Sequence, residues 1–295
     1  MRRRNPVFIA VACAAVMVVV VGVCLPAPEP RYEGRLLSFW LENPDNFIPE
    51  GFDPSAAGVQ AVRAIGTNAI PTLLQWISYE PSPLRQKLRN LLQNLPGPLK
   101  PRNGQIEWLR ATDAGIAFAI LGSQAHAAVP ELVHLALTSS DTNRAQRCID
   151  SLFHIGPAAL PGVFTIVTNT HAKKRLFAIS RIHDLGTNAV SAVPVLLKCL
   201  EDNDDEVVQA AAATLSELAL LPATTVPALK NALQSANARR RAFIIGGFYG
   251  FGAAAKPAVP QLQAALFDSS QDVRRCATNV LLHIAPEALT NVAPP

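Results

Sequence analysis

The sequence predicts an all-α solenoid of about six helix pairs behind an N-terminal transmembrane helix, and three observations predict it. Prolines recur at 161, 194, 227 and 260, each 33 residues after the last. Their surroundings recur with them: Leu160, Val193, Val226 or Val259 before each, then Val163, Leu196, Leu229 or Leu262 two residues on. Val167, Leu200, Leu233 or Leu266 follows six residues after each proline. Second, a glycine precedes most of these prolines at one of two fixed intervals. Gly66 leads to Pro71 and Gly156 to Pro161 in five residues, while Gly122, Gly186 and Gly252 lead to Pro130, Pro194 and Pro260 in eight. Glycine just past a helix end and proline in the first turn of the next mark a chain of short helices. Third, Val7 to Leu25 carries no charged residue and follows Arg2, Arg3 and Arg4.

In chain order, residues 1–30 form a basic flank, a signal-anchor helix and a proline-rich exit. Nineteen apolar residues at about 1.5 Å each match the ~30 Å of a bilayer core. The arginines hold the flank in the cytoplasm, so the remainder faces the outer side of the membrane, or is secreted or lipidated if the segment is cleaved. Residues 31–52 form a capping segment, with a short helix over Arg35–Leu41 and a loop from Asn43 to Pro54. The solenoid occupies 53–295, beginning near Asp53 or Ser55, with an irregular insertion at about 79–105. There Pro83 to Leu95 is an amphipathic helix, the proline- and glycine-rich stretch 96–104 breaks it, and Ile106 to Leu121 resumes the array. In the fifth pair Pro222 stands where a glycine is expected. The chain ends where the mate of the last helix would begin, so the face bearing Val280, Leu281 and Ile284 is expected to be covered by a second subunit or to fray.

Composition sets limits on partners. With 49% apolar and 16% charged residues the chain can fill a continuous core. Three of its 26 basic residues are Arg2 to Arg4, so 23 oppose 22 acidic ones over the rest. That near-neutrality argues against a nucleic-acid partner. Cys148, Cys199 and Cys276 lack metal-like spacing and read as buried free thiols, Cys276 sharing a core column with Phe177, Ala210 and Phe243.

Asp272-Val273-Arg274-Arg275, Asp205-Glu206-Val207-Val208 and Asn143-Arg144-Ala145-Gln146-Arg147 open first helices with an acid or amide and then basic or apolar residues. With proline opening each second helix, this pattern resembles the HEAT repeat family in its short-period, bilin-lyase-like variety, over roughly Asp53 to Leu289. The resemblance implies a right-handed superhelix whose second helices line the concave surface, and a binding scaffold more than a catalyst. The paired His-Glu dipeptides of its di-iron hydroxylase branch are absent, and His183-Asp184 alone makes no metal site. No catalytic, cofactor-binding or metal-binding residues are identified.

On the second helices, the expected concave face presents Thr165, Asn169, Lys198, Asp202, Asn231, Ser235, Gln261 and Asp268. Small, weakly polar residues of this kind suit a protein or peptide partner. The basic clusters Lys173-Lys174-Arg175, Arg239-Arg240-Arg241 and Arg274-Arg275 read as a solvated face pairing with acids of neighbouring repeats. The function expected is a non-catalytic protein-interaction scaffold tethered to the membrane, with self-association possible through the C-terminal end. A lyase-type HEAT enzyme or accessory is the alternative, and a nucleic-acid binder the remoter one.

Overall fold

The structure, a computed structural model, describes residues 29–42, 55–80, 104–169, 172–235 and 237–289. The expected transmembrane helix, the loop from Asn43 to Pro54, the amphipathic stretch Pro83–Leu95 and the last six residues lie outside the described residues. The chain divides into two compact units, Met1–Ala125 and His126–Pro295.

The first unit opens with a two-residue antiparallel ladder, β1 (Arg31–Tyr32) and β2 (Arg35–Leu36). The reversal runs through Glu33 and Gly34, both at positive φ. Arg35 and Leu36 were expected to be helical, but the tight turn pairs them with Tyr32 and Arg31 instead, and α1 (Leu37–Leu41) starts only afterwards. Leu37, Trp40 and Leu41 are buried, α1 packing against α2 (Ala57–Ile65). Gly66 ends α2, and α3 (Ile70–Ile77) carries Pro71 in its first turn. The apolar face of α4 (Gly104–Leu121), with Ala111, Ala114, Ala117 and Phe118 fully buried, packs on α2 and α3. On α4, burial pushes the Asp113 carboxyl up to about 7, Glu42 adding to the effect and Arg110 opposing it. Asp113 therefore favours the folded unit most at low pH, and that contribution is lost as pH rises through about 7.

The second unit is repetitive. Its helices are α5 (Val129–Thr138), α6 (Thr142–Ile155), α7 (Leu160–Val167), α8 (Ala172–Arg181), α9 (Val193–Cys199), α10 (Asp205–Leu218), α11 (Pro222–Ala232), α12 (Ala238–Gly246), α13 (Val259–Ala265) and α14 (Gln271–Ile284). The first helices α6, α8, α10, α12 and α14 each pack on the next, and behind them α5 packs on α7 and α9 on α11. Between the two rows lie Ile149, Leu152, Val163, Ile166, Ile179, Leu196, Leu215, Leu229, Ile245, Leu262 and Leu281, all essentially inaccessible. Each such side chain contributes roughly 1.5–3 kcal/mol on leaving water, which the short helices could not gain singly.

The expected punctuation is present at Gly66, Gly122, Gly156, Gly186 and Gly252, all at positive φ, each preceding a 3-10 turn and a helix with proline in its first turn. Two details differ. In the fifth pair α11 begins at Pro222, so Pro227 lies inside the helix instead of near its start. At the C-terminus Val280, Leu281 and Ile284 are buried within the chain. The turn Pro286–Leu289 folds back over α14, held by a Gln263 Nε2–Ala288 O hydrogen bond of 2.8 Å, so those residues leave no open apolar face for a second subunit.

Candidate groove and the polar joints of the second unit

Each second helix turns a row of small and polar residues outward, because its apolar positions at the proline's neighbours face the core. Of the eight residues expected on the binding face, Lys198, Asn231 and Ser235 come together. They line a groove of about 530 Å³ between α9 and α11, whose walls include Leu197, Leu200, Ala228, Ala232 and Ile244. Glu201 and Arg240 stand at the same groove, so it carries both signs of charge. Thr165 is exposed on α7, its hydroxyl donating to Pro161 O at 3.0 Å, and Gln261 is exposed on α13. Neither reaches the groove.

Asp202 and Asp268 are structural. Arg175 Nη2 donates to Asp202, and Arg241 makes a bidentate pair with Asp268 at 2.8 Å through both Nε and Nη2. In each case the arginine stands 27 residues before its acid. The same arginines grip the end of the preceding second helix, through Val167 O at 2.8 Å and Ser235 O at 2.9 Å. Hydrogen bonds from Arg241 hold the Asp268 carboxyl below the usual carboxylate range.

One linker position unites three of the residues expected on the face, and it recurs at Ser139. Ser139, Asp202, Ser235 and Asp268 each accept the backbone N–H of the residue two further on, at 2.9–3.2 Å. Those residues, Asp141, Asp204, Asn237 and Ser270, are the N-caps of α6, α10, α12 and α14. Asp141, Asp204 and Asn237 in turn accept amides of the first turn. This column bends the chain from second helix into first, a role that reading it as an open face overlooked. The signal was available: an acid 27 residues after an arginine, two residues before an Asp, Asn or Ser cap.

Of the basic clusters, Arg175, Arg240 and Arg241 pair with acids of neighbouring repeats as expected, whereas Arg275 pairs with Asp272 of its own helix and Lys174 and Arg274 bond backbone carbonyls. Arg240 binds Asp205 and Asn203 O, and Arg274 donates to Asp268 O at 2.7 Å. His183, Asp184, Arg181, Asp150 and Glu217 form a partly exposed ionic cluster. Cys148, Cys199 and Cys276 are free thiols; burial pushes the Cys148 thiol up to about 12. Cys276 is only half-buried, as are Phe177, Ala210 and Phe243, so that column lies at the edge of the core. Among the described residues no three His, Cys, Asp or Glu side chains converge as a metal site.

Residues 189–220 match the Armadillo/beta-catenin-like repeat, a span that holds α9 and α10. No curated protein matches the chain. Among solved structures, an engineered protein is similar over 73% of this chain and 97% of its own, at 19% identity and a TM-score of 0.39. A chain from the complex of Kap95p with RanGDP is similar over 94% of this chain, at 12% identity and a TM-score of 0.44. This chain spans 35% of that one's length.

Proposed function

We propose that the protein is a non-catalytic scaffold that holds a peptide or helix of a protein partner in the groove between α9 and α11, tethered to the outer side of a membrane by its apolar N-terminal run. The observation that carries the reading is the convergence of Lys198, Asn231 and Ser235 on one groove with apolar walls. Polar groups spaced along an apolar trough fix the register of a bound segment while the walls contribute the area. The armadillo-type match over 189–220 supports it, since repeats of this kind serve as protein-binding scaffolds. The tether rests on Arg2 to Arg4 followed by the uncharged run from Val7 to Leu25.

Affinity capture from membranes with the full chain tagged at its C-terminus, followed by mass spectrometry, is the test. Lys198→Glu and Asn231→Glu, both at exposed positions, are expected to weaken recovery of a stoichiometric partner at least tenfold with helicity unchanged. Undiminished capture by both variants overturns the groove. A tag at the C-terminus that stays shielded from external protease overturns the orientation.

A further inference from the structure

A second cleft, of about 610 Å³, opens where α8 crosses the linker between α5 and α6. Its apolar side comprises Leu137, Ala145, Ile149 and Phe177, and its cation is Lys174. The ammonium donates to Leu137 O at 2.6 Å and Ser139 O at 2.9 Å, both neutral. No carboxylate pairs with Lys174 among the described residues. Asp141, the linker's own acid, is turned onto the Asn143 amide as the cap of α6. Burial lowers the Lys174 pKa, and the neighbouring Arg144 lowers it further.

The chain shows how the same arrangement looks when complete. Lys174 is the third residue of α8, and Arg240 is the third residue of α12. Both reach back over the same interval: Lys174 to a carbonyl 37 residues earlier, Arg240 to Asn203 O, also 37 residues earlier. Arg240 then finds a carboxylate, that of Asp205, the first residue of α10. The first residue of α6 is Thr142, which lines the Lys174 cleft and is exposed. The later joint contains its own counter-ion, and the earlier one has a cation, an apolar wall and room.

We propose that this cleft takes a carboxylate carried beside an apolar side chain on the partner peptide, with Lys174 as counter-ion and Phe177 and Ile149 as the apolar seat. It rests on the reading of the protein as a peptide-binding scaffold. A desolvated ammonium beside a second cation gains more from an anion than an exposed lysine does, and the apolar wall selects acids with a hydrophobic neighbour.

The test uses small probes on the full chain. N-acetylphenylalanine, which presents a terminal carboxylate, and acetyl-aspartyl-phenylalanine amide, which presents a side-chain one, are titrated against N-acetylphenylalanine amide and followed by saturation-transfer NMR. At least one acid is expected to bind tenfold or more tightly than the amide, and the tighter acid identifies which carboxylate the cleft takes. Lys174→Gln is expected to remove that discrimination. Thr142→Asp supplies the chain with the counter-ion that Asp205 provides later; it is expected to raise the Tm and abolish acid binding, while Thr142→Asn retains it. Because an acid in the first turn also favours the α6 dipole, the Tm gain must shrink in the Lys174→Gln background. Equal binding of acids and amide, or undiminished acid binding by Thr142→Asp, overturns the proposal. These titrations need no partner, so their failure leaves the groove between α9 and α11 to its own test, and loss of that groove leaves the acid–amide discrimination unchanged.

Discussion

Two neighbouring joints of the second unit, α10 on α12 and α12 on α14, differ at one recurring pair of positions. At α12 on α14, Arg241 reaches Asp268 in the next linker. At α10 on α12 the corresponding residues are Val208, fully buried, and Ser235, whose hydroxyl accepts only the cap amide of Asn237. Of the two joints, the bidentate pair between arginine and linker acid therefore exists only at α12 on α14, while α10 and α12 are bridged at their first turns by Asp205 and Arg240. At its other end the α10–α12 joint closes through backbone: Gly250 N donates to Ser216 Oγ at 2.9 Å, and Gly247 lies against Ala212 O and Leu229. The corresponding positions of the ionic joint are Val280 and His283, the latter stacked on Tyr249 with centroids 4.0 Å apart. Where arginine also reaches the next linker acid, bulk is accepted at these two positions; where valine and serine replace that pair, the helices approach to glycine distance. The array is thus periodic in sequence length, while the position of its charged pair shifts from joint to joint.

The largest effect is expected at the close joint. A Cβ on Gly250 would lie 1.7 Å from Ser216 O, a backbone atom that cannot swing away. Gly250→Ala must therefore separate α10 from α12, and a loss of about 3 kcal/mol or more in urea unfolding is expected. A loss below about 1 kcal/mol would show that the two helices slide freely and that the contrast between the joints is unimportant.

Next comes the ionic joint. Asp268→Ala takes the bidentate partner from Arg241, whose side chain is 19% exposed; a loss of about 2 kcal/mol is expected. Asp268 has a lowered pKa, so its contribution is present at neutral pH and disappears as pH falls below about 4 through the folded value. Asp268→Asn should flatten that acid limb of the stability curve, and an unchanged limb would assign the acid sensitivity to other carboxylates. Installing the missing pair at α10 on α12 is a finer probe: Val208→Arg alone should cost about 1–2 kcal/mol, and adding Ser235→Asp should restore most of it. Additive losses in the double variant would mean that the joint's spacing, not its residues, excludes the pair.

Much of this was legible from residue spacing. The proline period fixed the second helices because a missing N–H is harmless only in a first turn, and the five glycines fixed the reversals because few other residues take those angles. The joints were half legible. The arginines early in the first helices and the linker acids Asp202 and Asp268 announced pairing, but single positions could not show that Asp202 and Asp268 turn toward arginine instead of toward a ligand. That orientation depends on which atoms of the preceding helix end are left for the guanidinium, a matter of packing. Lys198, Asn231 and Ser235 meet because α9 and α11 are neighbours, whereas Thr165 and Gln261 occupy corresponding columns on helices too distant to share their groove. The fold-back of Pro286–Leu289 over α14 was hidden for the opposite reason: it breaks the period that made everything else readable.

The smallest effect concerns the residue at which that period fails most quietly. Gly186 and Gly252 are 33 residues either side of Ala219, and both adopt φ near 50° with ψ near −130°, a region essentially closed to side chains. Ala219 keeps the positive φ, 49°, but moves to ψ 30°, the left-handed helical well that an alanine can occupy at a cost of about 1 kcal/mol. The chain then emerges in the wrong direction, and Leu221, at φ 49°, makes a second left-handed step with its side chain 43% exposed. Two strained residues accomplish what one glycine does in the flanking repeats. Pro222 then starts α11 one turn early, which is why Pro227 lies inside a helix here. Ala219→Gly removes the Cβ clash but adds unfolded-state entropy, so a net gain of about 0.5 kcal/mol is expected in urea unfolding. If this variant also recovers the geometry of Gly186 and Gly252, amide exchange should quicken at residues 223–225, in the first turn of α11, as that turn is released. A gain in stability with unchanged exchange would show that the left-handed well at 219 is imposed by the buried Thr225, whose hydroxyl donates to Leu220 O at 3.0 Å, and not by the alanine.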